Sequence, residues 1–392
     1  MGVIGGRVGR WGLVLAGVSV LAALPSTLRL LPAADRDISA AALQAKIAGS
    51  AQAGYSGYAE AVGGLRLPLT DQFTALVDLF GQRTTLRVWW RGRDDWRVDS
   101  LTPTGENDVH RDARGTWSWD YEASRAVRAA EPPVRLPQPA DLDPAALGRR
   151  LLAEADPAEL TRLPARRVAG RDALGLRLHP ADPHTTITRV DVWADADTGV
   201  PLRVEVAGAG ADRPVVEAAY LDFSTGRPAA RTVAFVPPRG NDVEVSGGSD
   251  DLAARLNRRI RIQPPDQLAG YRRRQRVEGL GAVGTYGRGV TVLAVSPLPS
   301  RIAEPLAEQL AKTPGVVKTE PSEQRSTMAD GKTTLITLSG NRSMLLTVGP
   351  LSVMLVLPLT VDSPGWLLAG TVTPATLQQA ADTVGRIALE LP

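Results

Sequence analysis

The sequence predicts an α+β protein in which a long series of antiparallel strands is followed by a smaller α+β unit. Short runs of alternating apolar and polar residues follow one another between residues 54 and 240, mostly separated by Gly, Asp or Pro. The stretch from Ser246 to Asp251 is small and polar, as linkers are. Beyond it, strand and helix patterns alternate. A chain of 392 residues with 43% hydrophobic content is long and apolar enough for two folded units.

Residues 1–34 have the pattern of an export or anchoring segment. Arg7 and Arg10 precede an apolar run from Trp11 to Leu24. That length fits a signal-peptide core, and an extension to Leu31 could just reach across a bilayer. The sequence therefore leaves open a cleaved signal peptide and an anchor in the cytoplasmic membrane. In both cases the two early arginines stay inside, and the rest of the chain is predicted to be extracytoplasmic.

Charge and cysteine content exclude several classes of protein. Without the three arginines of the first 34 residues, the chain holds 42 basic and 42 acidic residues, so the exported part is neutral and no nucleic-acid partner is predicted. There is no cysteine. This excludes disulfides, thiolate metal sites, a cysteine nucleophile and an anchor on a lipidated cysteine.

The first folded unit is predicted to span residues 35–246. It opens with a helix over residues 38–51, whose Leu43 and Ile47 share a face. Two further helices are predicted, one from Leu69 to Phe80 and one that begins with the capping pair Asp143-Pro144. The predicted strands, which form one consecutive antiparallel sheet, begin at Tyr55, Thr84, Trp96, Asn107, Thr116, Ala173, Thr188, Pro201 and Val216.

The second unit is predicted to span residues 265–392, after a linker at 247–264. Its helices are expected over residues 300–311 and from Pro374, capped by Thr373, to about Leu389. Asp330-Gly331 and Gly340-Asn341 are predicted hairpin turns. The predicted strands cover residues 274–280, 289–295, 333–338, 343–348, 352–357 and 366–372.

Aromatic residues are concentrated in one part of the first unit. Five of the eight tryptophans lie between Thr84 and Tyr121, at alternating positions that place rings on one face of each strand. Such a face either fills a packed core or lines a groove for an apolar ligand, because an antiparallel sheet with few helices can leave part of a face uncovered. The predicted wall of a ligand cavity consists of Val88, Trp90, Trp96, Val98, Trp117 and Trp119.

The motif search predicts no catalytic residue, metal ion or cofactor. Residues 279–284 match G-x-G-x-x-G, but a strand pattern follows where a dinucleotide site needs a helix. His179 and His184 flank a loop and are not spaced as zinc ligands on a helix, and His110 is interpreted as a solvated turn residue. No G-x-S-x-G and no paired-carboxylate signature occurs. An exported hydrolase is therefore the least favoured of three functions.

Seven arginines surround the junction of the two units. They have three open interpretations: a solvated surface, a binding site for lipid phosphates or an acidic protein segment, or a contact between the units. The predicted partner-binding residues are Arg258, Arg259, Arg261, Arg272, Arg273, Arg274 and Arg276.

Several short motifs resemble one known family. They are Tyr55-Ser56-Gly57, Trp96-Arg97-Val98-Asp99, the run from Arg114 to Tyr121, the run from Phe235 to Gly240, and the run from Trp366 to Pro374. Together they resemble the LolA/LolB lipoprotein-carrier superfamily, in particular its MucB/RseB branch of sigma-factor regulators. The resemblance covers most of residues 38–392.

The resemblance implies a fold and a function. The fold is an unclosed β-barrel wrapped on helices, with an apolar cavity for acyl chains, plus a smaller C-terminal domain. The function is non-enzymatic: binding of a membrane-bound anti-sigma factor outside the cytoplasmic membrane, in response to lipid-like signals of envelope stress. A carrier of lipids or lipoproteins on the same scaffold is the alternative. The predicted anchor and the missing cysteine depart from a shuttling carrier and from a lipidated acceptor.

Overall fold

The computed structural model describes residues 33–63, 83–101, 105–129, 138–237, 242–245, 262–274, 283–327, 334–339, 341–357 and 364–389. Residues 1–32 of the export segment, the predicted helix over 69–80, the predicted turn at Asp330-Gly331, Gly340 of the predicted turn Gly340-Asn341, and most of the linker lie outside the described residues. None of the helices in the described ranges combines the length and hydropathy needed to cross a membrane.

Most of the first unit is one twelve-stranded sheet with the order β12-β6-β5-β4-β3-β2-β1-β11-β10-β9-β8-β7. The sheet is unclosed, since β12 and β7 are its two ends. All neighbours are antiparallel except β12 and β6, which run parallel. The strands are β1 (Tyr55–Gly63), β2 (Arg83–Gly92), β3 (Asp95–Leu101), β4 (Glu106–Asp112), β5 (Gly115–Asp120), β6 (Arg125–Ala129), β7 (Leu160–Val168), β8 (Arg171–Leu178), β9 (Ile187–Asp195), β10 (Pro201–Gly208), β11 (Val216–Thr225) and β12 (Asp242–Val245).

Most of these strands form where apolar and polar residues alternate in the sequence. In β10, Leu202, Val204 and Val206 are buried while Arg203 and Glu205 between them are partly exposed. Strands β6, β7 and β12 were not predicted. Strand β7 ends the sheet, contains Pro164, and its pairing with β8 shifts between Leu163 and Arg166, so it lacks a regular pattern.

Two helices cover one face of this sheet, which we call the inner face. Helix α1 (Ala40–Gly49) starts after Ser39, whose hydroxyl accepts a hydrogen bond from the Ala42 amide, and it buries Leu43 and Ile47. Helix α2 (Pro144–Leu152) starts after Asp143, whose carboxylate accepts from two amides of the first turn. The start of α2 agrees with the sequence prediction, whereas α1 begins two residues after the predicted start at residue 38. The helices and the inner face form one continuous hydrophobic cluster.

The second unit is built on a six-stranded sheet with the order β15-β16-β22-β21-β20-β17. Helix α3 (Ala230–Val233) is a short turn of the first unit, and helices α4 (Ser300–Ala311) and α5 (Pro374–Leu389) lie in the second, as predicted. The strands of the second unit, including two separate ribbons, are β13 (Gln267–Leu268), β14 (Tyr271–Arg272), β15 (Gly284–Arg288), β16 (Thr291–Leu298), β17 (Val317–Thr319), β18 (Ser322–Thr327), β19 (Thr334–Ser339), β20 (Ser343–Val348), β21 (Leu351–Val356) and β22 (Gly365–Gly370).

The strand predicted over 289–295 begins two residues later. Gly289 has a φ of 56° and belongs to the turn between β15 and β16, a conformation that glycine adopts without strain. Of the strand predicted over 274–280, the described part is Arg274 alone, which follows β14.

Backbone hydrogen bonds connect the two sheets. The Thr186 amide donates to the Thr371 carbonyl at 2.9 Å, and the Thr373 amide donates to the His184 carbonyl at 2.8 Å. Thr186 Oγ1 also donates to the Pro350 carbonyl at 2.5 Å. The two units are therefore in contact where the segment just before β9 meets the residues that follow β22.

Candidate functional site

The aromatic strands β2 to β5 bring four of the six predicted cavity residues onto the inner face. Val88 pairs with Val98, and Trp90 pairs with Trp96, so their side chains point to the same side of the sheet. Val88 and Val98 are buried, Trp90 is 8% exposed and Trp96 is half-buried. These four residues lie on the side of helices α1 and α2.

Trp117 and Trp119 lie on the opposite face, which we call the outer face. Val98 pairs with Val109, which in turn pairs with Ser118, so Ser118 shares the inner face and its two neighbours point away from it. The prediction of one wall made of all six residues is therefore wrong. Alternate positions of one strand share a face of the sheet, so the sequence shows which rings within a strand lie together. Which rings of different strands share a face depends on the register between the strands.

A row of rings runs along the inner face. The ring centroids of Tyr55 and Trp90 are 5.8 Å apart with planes at 6°, and those of Trp90 and Trp96 are 5.8 Å apart at 5°. Phe223 extends the row, with its centroid 5.6 Å from that of Tyr55. The guanidinium of Arg149, from helix α2, lies 4.7 Å from the centre of the Trp90 ring.

A buried polar cluster lies at the start of helix α2, beside this row. Besides capping the helix, the Asp143 carboxylate accepts hydrogen bonds from the hydroxyls of Tyr220 and, at 3.3 Å, Tyr55. Burial, followed by the negative charge of Asp143, raises the pKa of both phenols, so they are neutral donors. Burial opposes the charge on Arg149, but the nearby Tyr55 and Asp143 raise its pKa, so the guanidinium stays protonated.

The outer face carries a cluster of three carboxylates around one arginine. Arg97 donates to Asp99 at 2.5 Å, to Asp108 at 2.9 Å and to Glu106 at 3.5 Å. Asp99 and Asp108 are 1% and 2% exposed, and the Arg97 guanidinium also lies 5.2 Å from the centre of the Trp89 ring.

The two buried aspartates differ in their affinity for a proton. Burial, together with the charge of Asp108, raises the pKa of Asp99 to about 7 against the opposing hydrogen bond from Arg97. For Asp108 burial acts in the same direction, but the neighbouring His110 and the charge of Arg97 hold its pKa below the usual value. Asp108 is therefore the ionised member and Asp99 the member that takes up a proton near neutral pH.

Carboxylate oxygens of Asp99, Glu106 and Asp108 lie within 4.8 Å of one another, a spacing that fits a hard cation. However, the guanidinium of Arg97 hydrogen-bonds all three side chains. Arg97 thus provides the counter-charge in this arrangement, and the geometry does not require a metal ion.

His110 is 3% exposed, so its interpretation as a solvated turn residue is wrong. It lies in strand β4, and its Nδ1 is 2.8 Å from the Val233 carbonyl oxygen, which can only accept, so Nδ1 carries a proton. Its Nε2 is 3.8 Å from Asp108. The ring of Phe235 packs against His110 and Trp117, with centroids 4.9 and 5.3 Å away, so the segment after α3 covers these two side chains of the outer face.

Three of the seven predicted partner-binding arginines are described. Arg272 is exposed. Arg273 donates to the carbonyls of Pro264 and Val283, and Arg274 donates to the Gly287 carbonyl and to Glu154 of the first unit. Arg274 therefore joins the two units, one of the three interpretations of this cluster. The four residues outside the described ranges are Arg258, Arg259, Arg261 and Arg276.

Comparisons with known proteins give structural neighbours only. No protein-family model matches the sequence. No curated protein matches it either. Among solved structures, the chain is similar to MucB in the Pseudomonas aeruginosa MucA/MucB complex, with a TM-score of 0.46 and 18% identity over 87% of this chain and 96% of that one.

A second structure of MucB, in complex with the periplasmic part of MucA, gives a TM-score of 0.45 at 18% identity, over 88% of this chain and 97% of that one. A LolA-superfamily protein from Nitrosomonas europaea gives 0.25 at 13% identity, over 50% of this chain and 98% of that one. The structural neighbours thus include MucB and LolA-superfamily proteins, the groups that the sequence motifs resemble.

Proposed function

We propose that this protein is an extracytoplasmic, non-enzymatic regulator that binds an anti-sigma factor, a lipid-like ligand or both in envelope-stress sigma signalling. The observation that carries the proposal is the row of rings on the inner face of an unclosed sheet, with helices α1 and α2 across it. In this proposal the first unit is an unclosed half-barrel wrapped on helices and residues 265–392 form a smaller domain beyond the linker.

The ligand part of the proposal rests on the chemistry of the inner face. Large flat rings next to aliphatic side chains offer apolar contact area without many hydrogen-bonding groups, which suits an acyl chain. Trp96 is half-buried, so the row reaches the edge of the packed core. A lipid or lipoprotein carrier would use the same face, and it remains the alternative function.

The partner part of the proposal comes from the motif resemblance to the MucB/RseB branch. In the neighbour structures, MucB is bound to MucA. The same resemblance and the export segment support a location outside the cytoplasmic membrane, where the N-terminal segment is either cleaved or serves as the anchor.

The outer-face cluster does not offer general-base chemistry. The Nδ1 of His110 donates to the Val233 carbonyl and its Nε2 faces Asp108, so neither nitrogen is directed at a hydroxyl nucleophile. This arrangement favours a binding protein over the third candidate, an exported hydrolase.

Two measurements on the full chain test the proposal. Mass spectrometry of an organic extract of the purified protein should find acyl lipids in stoichiometric amount, and the external part of the anti-sigma factor from the same organism should bind in titration calorimetry. Lipid without anti-sigma binding would support the carrier. A protein that binds neither would overturn the proposal.

A further inference from the structure

Arg149 has few hydrogen-bond partners for a half-buried guanidinium. A guanidinium has five N–H donors, but this one makes two long hydrogen bonds, 3.5 Å to Ser50 Oγ and 3.4 Å to Tyr55 Oη. In the part of the chain that the structure describes, no carboxylate oxygen lies within 4.0 Å of it. The nearest acid in its cluster, Asp143, already accepts from Tyr55, Tyr220 and the amides at the start of helix α2.

Several other half-buried arginines of the first unit have close acidic partners, although Arg128, over the Trp117 ring, donates to the Arg114 carbonyl instead. Arg97 lies 2.5 Å from Asp99, and Arg177 lies 2.6 Å from Asp191. Even the neighbour of Arg149 on helix α2, the more exposed Arg150, is 3.2 Å from Asp141. The Trp90 ring and the charge of Asp143 stabilise this cation, but most of its N–H donors have no partner among the described residues and are available to an external anion.

The position of Arg149 indicates the chemistry of that partner. Its guanidinium lies over Trp90, and Trp90 stacks beside Trp96 in the apolar row. Within the row, Tyr55, Phe223 and Trp90 are buried and Trp96 is half-buried. A ligand would thus meet the Trp96 ring at the edge of the core and, over the neighbouring Trp90, a protonated, forked donor. An acyl lipid with a carboxylate or phosphate headgroup has both features, and the fork of arginine matches either anion in a bidentate geometry.

We infer that Arg149 binds the anionic headgroup of an acyl lipid whose chain lies against Trp96, at the edge of the row. This inference rests on the lipid-binding part of the proposed function. It adds that the ligand is negatively charged and that Arg149 binds the charged group. It also gives Ser50 and Tyr55 a role, since their hydroxyls hold the guanidinium in place on the Trp90 ring.

The test compares matched ligands and matched variants of the full chain in one non-ionic detergent. The ligands are hexadecanoate, the corresponding phosphatidic acid, hexadecanol and inorganic phosphate. Arg149→Gln removes the charge, Arg149→Lys keeps it without the fork, and Arg150→Gln is the control from the same helix. Thermal unfolding of each variant checks that the fold is kept.

We expect Arg149→Gln to bind one or both anionic lipids about tenfold more weakly, with Arg149→Lys intermediate and Arg150→Gln unchanged. Binding of hexadecanol should be equal in all variants. The anion that loses affinity identifies the headgroup as carboxylate or phosphate, and inorganic phosphate alone should bind weakly because it lacks the chain.

Two results overturn the inference, and they differ in meaning. If the wild type binds both lipids and Arg149→Gln binds them equally well, the headgroup role fails and the lipid function stands. If the wild type binds neither the anionic lipids nor hexadecanol, the lipid function fails with it. If Arg149→Gln does not fold, Arg149→Lys is compared with the wild type instead. The inference then requires that Arg149→Lys binds the anionic lipids more weakly and hexadecanol equally well.

Discussion

Asp99 and Asp108 lie directly opposite each other on strands β3 and β4, both side chains are buried, and one oxygen of each has no hydrogen-bond partner. Like charges in that position repel each other, and the single guanidinium of Arg97 compensates only one of them. The pair is therefore most stable with one proton bound, because burial and, after it, the charge of Asp108 raise the pKa of Asp99.

This arrangement predicts a pH-dependent stability. The folded state holds a proton on Asp99 up to about pH 7, while the unfolded state releases it near 3.8. Between these values the folded state binds more protons, so the free energy of unfolding should fall as the pH rises to 7 and should level off above it.

Asp99→Asn should remove much of this decline, because the amide has no proton to lose. Urea unfolding at several pH values between about 5 and 8 measures it, with Asp112→Asn, at the more exposed end of β4, as the control. An equally steep decline in Asp99→Asn and wild type would show that Asp99 is not the titrating group.

A second prediction concerns the Asp143 cluster. Asp143→Ala removes the cap of helix α2 and leaves the buried hydroxyls of Tyr55 and Tyr220 without their acceptor, so we expect a loss of about 2 to 4 kcal/mol in the free energy of unfolding. The control is Asp156→Ala, which removes an exposed cap of a single 3₁₀ turn and should cost about 1 kcal/mol or less. Equal losses for the two variants would contradict the central role of Asp143.

A third prediction separates two functions of the junction arginines. Arg272 is exposed, so Arg272→Ala should weaken binding of an acidic partner and reduce its salt dependence without changing thermal stability. Arg274→Ala loses the contact with Glu154 and should loosen the two units, which limited proteolysis detects. If Arg272→Ala leaves partner affinity unchanged at low salt, this residue has no part in binding.

The sequence predicted much of the strand series and the helix starts because these depend on local patterns. Alternation placed β10, and the capping pair Asp143-Pro144 placed α2 within one residue. Strand β7 was missed because an edge strand needs no regular alternation and tolerates Pro164.

The site could be predicted only in part. Trp90 and Trp96 were assigned to the correct strands, but their separation from Trp117 and Trp119 depends on cross-strand register, which no single strand encodes. The role of Arg149 was also missed, because its approach to Trp90 brings together residues far apart in the chain. Trp90 lies opposite Tyr55 on the neighbouring strand, and this position would have indicated the row of rings. It can be used only when the pairing of β1 with β2 is known.

The most direct test of the account is quenching of tryptophan fluorescence by a fatty acid with bromine atoms on its chain, which quench rings that they touch. We expect strong quenching in the wild type, unchanged relative quenching in Trp117→Phe on the outer face, and a large loss of quenching when Trp90 and Trp96 are both replaced by Phe. Quenching that persists in the double variant and disappears in Trp117→Phe, or no quenching in the wild type, would contradict a lipid site on the inner face.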